Sequence, residues 1–266
     1  MRKTVVAGAF YERERDKLEE QLSACFSDIK REENENIIGA VVPHAGYIYS
    51  GGVAANVYAK LPEADTFVIL GPNHQGMGSL IAVSEDTWVT PLGDLEVDNA
   101  FVDALPKRII DVDETAHNYE HSIEVQLPFL QYLFDKNFQF VPICMSLSDE
   151  ETTREIGADL ANTIAKFDKK VVVIASSDFT HYEPDRIARE KDKYVIEAIT
   201  ELNVTKFYNR TYERNVSVCG VGPIAAMMYA AKKLGAKEAE LIKYETSGDI
   251  TGDLSSVVGY GGLIIF

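Results

Sequence analysis

Short, almost wholly apolar runs alternate along this chain with longer stretches in which apolar residues recur every three or four positions. The short runs are typical of buried strands, and the longer period is typical of helices packed against them. The predicted strands are residues 37–43, 66–71, 138–145, 170–176, 240–246 and 255–266. The predicted helices are residues 14–27, 51–61, 122–134, 149–167, 184–202 and 222–234.

The order of these elements predicts the fold class. The strand at 37–43, the helix at 51–61 and the strand at 66–71 form a βαβ unit, for which we expect a right-handed crossover and parallel pairing. No change of composition marks a linker between domains, and no internal repeat is visible. We therefore predict one α/β domain over residues 1–266, with a mainly parallel central sheet flanked by helices and some antiparallel strands near its carboxyl end.

Three local features refine the predicted elements. Residues 86–98 break the alternation and predict a hairpin or excursion. Pro128 falls inside the helix at 122–134 and predicts a kink there. Ser148 is the predicted N-cap of the helix at 149–167.

Composition narrows the class of partner. The 266 residues carry 26 Lys and Arg against 42 Asp and Glu, a formal net charge of −16. This charge argues against nucleic acid or an anionic membrane as the main partner. Three scattered cysteines are too few for a disulfide framework, and no apolar run is long enough for a signal peptide or a membrane span. We therefore expect a cytoplasmic protein.

Polar side chains follow three of the predicted strands. His44 follows the strand at 37–43, His74 follows the strand at 66–71, and Asp178 and His181 follow the strand at 170–176. Ligands bind at this edge of open α/β sheets, and neutral imidazoles are common ligands of transition metals. Asp178 could orient His181, act with it as acid or base, or simply cap a helix. The alternative to a metal site is that these histidines are loop residues held in place by hydrogen bonds.

Two further groups carry candidate chemistry. Cys219 precedes a glycine-rich turn that opens a helix, where a thiol is expected to have a lowered pKa and to act as a metal ligand or a nucleophile. In the segment 120–124, Ser122 is a predicted helix cap and Glu124 lies in the first turn of that helix. These structural roles account for both residues without a role in a functional site. His121 and His117 are weaker site candidates.

Six ordered motifs, spread over most of the chain, resemble the Memo family, whose prokaryotic members are called AmmeMemoRadiSam system protein B. They are Ala7-Gly8-Ala9-Phe10-Tyr11, Val42-Pro43-His44-Ala45-Gly46-Tyr47-Ile48-Tyr49-Ser50-Gly51, Gly71-Pro72-Asn73-His74, Glu120-His121-Ser122-Ile123-Glu124, Ser176-Ser177-Asp178-Phe179-Thr180-His181-Tyr182 and Cys219-Gly220. The family's fold is similar to that of the class III extradiol dioxygenases, which bind non-haem Fe(II) through two histidines and a glutamate.

The resemblance implies roles for particular residues. It puts His44, His74 and Cys219 in the metal-ligand positions and His181 and Asp178 in the same pocket as catalytic residues. Phe10 would form the aromatic edge of that pocket, which His121 and Glu124 would also line. The metal implied is Fe(II) or copper, with zinc as a further choice, because a thiolate in place of a carboxylate is a softer ligand. The family also implies a radical-SAM protein and an AMMECR-type domain protein as partners.

Three functions follow from these residues. The first is a metal-binding protein, iron or copper, that acts as a redox enzyme on an unknown substrate; dioxygenase activity does not follow from the fold alone. The second is a peptide- or protein-binding module that uses a degenerate active-site pocket. The third is a metal-free enzyme in which Cys219 is the nucleophile and His74 or His181 the base.

Overall fold

The computed structural model describes residues 1–135 and 138–266, which fold around a mixed central sheet. Its strands are β1 (Gly39–Val42), β2 (Thr66–Pro72), β3 (Ile81–Val83), β6 (Asp111–Val112), β7 (Gln139–Met145), β8 (Val171–Ser176), β9 (His181–Glu183), β10 (Ala239–Thr246) and β11 (Val257–Ile265). The order is β10-β11-β1-β8-β2-β7-β3-β6, and β9 pairs with β11. Strands β4 (Trp88–Thr90) and β5 (Gly93–Leu95) form the hairpin predicted near residues 86–98.

The four strands at the centre of the sheet, β1, β8, β2 and β7, run parallel to one another. On one side of this centre, β11 is antiparallel to both β1 and β10, and on the other side β3 is antiparallel to β7. The predicted α/β class with a mainly parallel sheet is therefore confirmed. β1 and β2 run parallel, as expected for the βαβ unit, but their expected direct pairing is wrong, because β8 lies between them. All three strands are almost entirely buried, and a buried apolar run does not encode which neighbour it pairs with.

Helices cover both faces of this sheet. They are α1 (Arg15–Cys25), α2 (Tyr47–Tyr58), α3 (Asn99–Ala104), α4 (Leu127–Phe134), α5 (Glu150–Ile164), α6 (Asp185–Thr200), α7 (Val204–Glu213), α8 (Val221–Lys233) and α9 (Ser247–Thr251). Gly39 of β1 lies under Met227 of α8, and Gly262 of β11 lies under Val57 of α2, on the opposite face. A side chain at either glycine would push its covering helix away from the sheet.

Three local predictions are wrong for identifiable reasons. Pro128 lies in the first turn of α4, where its missing N–H costs nothing, so it begins the helix and does not kink it. Ser122 does not cap α4; a 3₁₀ turn, Glu124–Gln126, precedes that helix, and Ser122 Oγ donates to the carbonyl oxygen of Pro72. The N-cap of α5 is Asp149, whose carboxylate accepts from the Thr152 N–H, and not Ser148.

Within residues 1–135 and 138–266, every helix is too short or too polar to cross a lipid bilayer.

Candidate metal centre

His44 and His74 lie together at the carboxyl ends of β1 and β2. Each comes two residues after the last residue of its strand, and their ring centroids are 5.2 Å apart. The His44 side chain is buried, whereas that of His74 is 30% exposed. The site therefore has a closed side at His44 and an open side at His74.

His121 completes this cluster from a loop. One ligand atom from each of His44, His74 and His121 can be chosen so that all three atoms lie within 4.8 Å of one another. The ring of His121 stacks on that of His74, with centroids 4.7 Å apart and an angle of 21° between the planes. The sequence indicates His121 as a pocket residue only, because it does not follow a strand. We call these three residues the histidine cluster.

The hydrogen bonds of His44 determine which of its ring nitrogens carries the proton. Nδ1 lies 2.9 Å from Ser176 Oγ, which donates its own proton to the carbonyl oxygen of Ser122 at 2.6 Å. Ser176 Oγ can therefore only accept from His44, so His44 Nδ1 carries the proton. Nε2 is left with its lone pair, which is the form that binds a metal.

Glu120 does the same for His74. Its Oε1 lies 2.9 Å from His74 Nδ1, and Oε1 also accepts from the backbone N–H groups of His121 and Ser122, each at 2.8 Å. Its other oxygen accepts from the His74 N–H. An ionised carboxylate is only an acceptor, so His74 Nδ1 must donate, and Nε2 again keeps its lone pair. A carboxylate behind a ligating histidine is a recurrent feature of metal sites.

The charge state of Glu120 supports this assignment. Burial raises the pKa of its carboxyl group, but the hydrogen bond and charge of His74 and the Ser122 N–H outweigh burial and lower that pKa to about 2. Glu120 is therefore ionised at neutral pH. Sequence reasoning missed this residue as a site component, although its position directly before His121 was an available signal.

Cys219 lies on the other side of His44. Its Sγ is 3.3 Å from His44 Nε2 and accepts a hydrogen bond from the backbone N–H of Asp178 at 3.1 Å. The structure thus brings the predicted ligands His44 and His74 together and places the Cys219 thiol next to the His44 lone pair, whereas the donor atoms that lie within 4.8 Å of one another among the described residues come from His44, His74 and His121. The expected low pKa of the thiol is wrong, because burial and the Asp178 charge raise it well above its usual value. Burial likewise lowers the pKa of His44 well below its usual value.

Asp178 and His181 lie on the segment that leaves β8. Asp178 does not cap a helix: its Oδ1 accepts from the His44 N–H at 2.9 Å, and burial raises the pKa of its carboxyl group to about 6. His181 is half-buried, and its Nδ1 lies 2.9 Å from the carbonyl oxygen of Ser217, so Nδ1 donates and Nε2 is the basic atom. After burial, the charge of His181 makes a smaller contribution to both pKa values: it adds to the lowering of the His44 pKa and partly offsets the raising of the Asp178 pKa.

The remaining predicted pocket residues, Phe10 and Glu124, have different surroundings. The Phe10 ring contacts His121 edge to face, with centroids 4.9 Å apart. Glu124 is fully buried and pairs with Arg2; it also accepts from the Tyr11 hydroxyl and from the backbone N–H groups of Val5 and Val6. Phe10 therefore touches the histidine cluster directly, whereas the Glu124 carboxylate is occupied by the N-terminal residues.

Comparison with known proteins confirms the family that the six sequence motifs resemble. A family model described as Memo-like protein matches residues 2–264. A MEMO1 family protein of Methanosarcina barkeri is 57% identical over 265 residues, a match that covers 100% of this chain and 100% of that one. One of Archaeoglobus fulgidus is 50% identical over 99% of both chains.

A solved structure also resembles this chain. The crystal structure of an uncharacterised protein of Escherichia coli K12 has a TM-score of 0.55 and 14% identity, and the match covers 86% of this chain and 99% of that one. This likeness supports the α/β fold alone.

Proposed function

This chain belongs to the Memo-like family, and on that premise we propose that the histidine cluster binds a transition metal and that the protein is a redox enzyme. Iron or copper is the proposed metal, because the donor set combines imidazoles with a neighbouring thiol. The observation that carries the proposal is that His44 and His74 each use the Nδ1 proton in a hydrogen bond, to Ser176 and Glu120 respectively. Each ring is thereby held with its Nε2 lone pair free.

The donor set fits a metal ion with open coordination positions. The histidine cluster supplies three nitrogen donors, and exposure of the His74 side chain leaves a path for substrate. A bound iron or copper ion would supply electron transfer and Lewis acidity. His181 Nε2 would take a proton from the substrate, since its Nδ1 proton is held by Ser217. Asp178 would hold the His44 backbone in place.

Metal content is the direct test. We expect about one iron or copper ion per chain in protein purified without oxygen, and its loss in His74→Ala. Cys219→Ser tests whether the neighbouring thiol is also needed for metal binding. Cys25→Ser is its matched control, because Cys25 lies outside the histidine cluster. Full occupancy in both His44→Ala and Cys219→Ser would refute the proposed ligands. Failure to load Fe(II), Cu(I) or Zn(II) would refute metal binding itself.

Spectroscopy separates His121 from Cys219 as the third ligand. Co(II) bound through a thiolate has an intense sulfur-to-metal charge-transfer band that a purely imidazole site lacks. Loss of this band in Cys219→Ser, with Co(II) still bound, would identify the thiolate as a ligand. A wild-type spectrum without the band would assign the third position to His121.

A metal-free nucleophile is the second candidate, and the 3.3 Å approach of Cys219 Sγ to His44 Nε2 favours it. Against it, burial holds both groups in their neutral forms. Metal-free protein treated with iodoacetamide at pH 7 distinguishes the two. Stoichiometric alkylation of Cys219, with Cys25 as internal reference, would support the nucleophile, and an inert Cys219 would count against it.

Other expectations rest on family resemblance or on sequence alone. We propose the radical-SAM and AMMECR-type proteins as partners, which reciprocal pull-down with the purified proteins would test. The peptide-binding alternative stays a prediction. Binding of a peptide by the His74→Ala variant, with its metal lost, would favour it over the redox enzyme.

A further inference from the structure

An N-terminal strap, residues 2–11, lies against the loop that carries two components of the proposed metal centre. We call residues 117–124 the histidine loop; it contains Glu120 and His121. The first part of the strap forms a short parallel bridge to β4, with Arg2 N–H donating to Thr87 and the Arg2 carbonyl oxygen accepting from Val89. The strap is thus anchored on one side of the histidine loop.

Arg2 connects the strap to three points of the histidine loop with one side chain. Its Nε donates to the carbonyl oxygen of His117 at 3.1 Å, its Nη2 to the carbonyl oxygen of Glu120, and its Nη1 to the Glu124 carboxylate. The guanidinium carbon lies 4.1 Å from the centroid of the Trp88 ring. Arg2 is only 4% exposed, so each of these contacts is made away from water.

Glu124 returns these contacts to the strap. Besides Arg2, its carboxylate accepts from the Tyr11 hydroxyl at 2.7 Å and from the Val5 and Val6 N–H groups at 2.8 and 3.1 Å. A buried carboxylate with this many donors, one of them charged, is held in a single position. The strap and the histidine loop therefore form one hydrogen-bonded unit.

The end of the strap reaches the other side of the metal centre. The Phe10 carbonyl oxygen accepts from the Tyr47 N–H at 2.8 Å, at the start of α2 and three residues after His44. The Phe10 ring packs on His121. The strap thus bridges the two segments that supply His44 and His121.

We propose that Arg2 is a positioning residue for the metal centre, holding Glu120 and His121 through the main chain of the histidine loop. This inference rests on the proposed metal-binding function. Coupling between two sites is reciprocal, so metal binding should in turn slow opening of the strap. The strap would then report on metal occupancy.

Arg2→Lys tests the proposal with the charge retained. An ammonium group is a point donor and cannot reach three acceptors that a planar guanidinium spans. We expect Zn(II) affinity to fall by about tenfold or more, as for other residues behind metal ligands. Tyr11→Phe removes one bond to Glu124 and should have a smaller effect in the same direction.

Arg13→Lys is the matched control, because the Arg13 guanidinium donates to the carbonyl oxygen of Ala7 in the strap and, among the described residues, makes no hydrogen bond to the histidine loop. It should keep wild-type Zn(II) affinity. Wild-type affinity in Arg2→Lys, or an equal loss in Arg13→Lys, would overturn the proposal.

Hydrogen exchange separates failure of this inference from failure of metal binding. In metal-free protein, Arg2→Lys should speed exchange of the amides in residues 117–124 by about tenfold while β2 and β8 keep wild-type rates. This result would support positioning even if the wild type bound no metal. Uniform acceleration across all strands would overturn it, because Arg2 would then serve global stability alone.

Discussion

Replacing Glu120 with glutamine removes one negative charge and leaves the size of the side chain almost unchanged. The carboxylate accepts from His74 Nδ1 and from three backbone N–H groups, those of His74, His121 and Ser122. A glutamine keeps one acceptor oxygen and turns an NH₂ group towards donors. We therefore expect Glu120→Gln to loosen His74 and the start of the histidine loop together.

The magnitude follows from the pKa of Glu120, which falls from 4.5 to about 2 on folding as the His74 and backbone bonds outweigh burial. A shift of this size corresponds to about 3 kcal/mol in favour of the folded state. Because the folded pKa is the lower one, this stability is fully present above pH 4.5 and is lost as the pH falls towards 2. Glu120→Gln should lose about 3 kcal/mol at pH 7 and show a flatter acid limb.

Urea unfolding of the metal-free variant at pH 7 and at lower pH measures this loss. Chelator competition for Zn(II) should show affinity lower by about 10- to 100-fold. Asp149→Asn is the matched control: it makes the same chemical change at the N-cap of α5 and should leave Zn(II) affinity unchanged. Wild-type stability together with wild-type Zn(II) affinity in Glu120→Gln would show that the Glu120 charge does not hold His74 and the histidine loop.

Three further changes test other parts of the structure. Gly259→Ala should lower the unfolding free energy by about 3 kcal/mol or more, since its Cβ would lie 1.9 Å from Asp192 Oδ2; near-wild-type urea stability would contradict this. Asp192→Asn should be more stable than wild type at pH 8 but not at pH 4, because burial raises the folded pKa of Asp192 from 3.8 to about 6 and so costs stability as the pH rises through that range. Equal melting temperatures at pH 8 would argue against it. His117→Phe should be the more stable protein at pH 5, because burial and the Arg2 charge lower the folded pKa of His117 from 6.5 to about 4 and stability is lost as the pH falls through that window. An unchanged pH slope of thermal melting would exclude His117 as the cause.

The sequence predicted which side chains lie together at the candidate site better than it predicted the order of the strands in the sheet. Strand ends place side chains at one edge whatever the strand order, so His44 and His74 could be grouped without knowing that β8 lies between β1 and β2. His121 follows no strand, and its approach depends on a loop held by Arg2 over a long sequence separation. Periodicity carries no information about such a contact.

Electrostatic expectations failed where burial outweighed local geometry. Cys219 precedes a helix, as the glycine-rich turn predicted, but a helix terminus stabilises a thiolate modestly. Burial and the neighbouring Asp178 raise the pKa of the thiol instead. Burial of a single side chain is a tertiary property, and no local sequence pattern encodes it.

The position of β11 has a consequence for how the protein is made. Its last residues pair with β1, the first strand of the sheet, with Ile265 opposite Gly39. β1 can pair with β8 on one side, but its other side stays unpaired until residues 257–265 have left the ribosome. Pairing over such a distance is slow to form. Without residues 257–266, β10 would lose its partner and β1 would become an exposed edge strand, so a nascent chain stalled before residue 257 should expose β1 and be captured by chaperones.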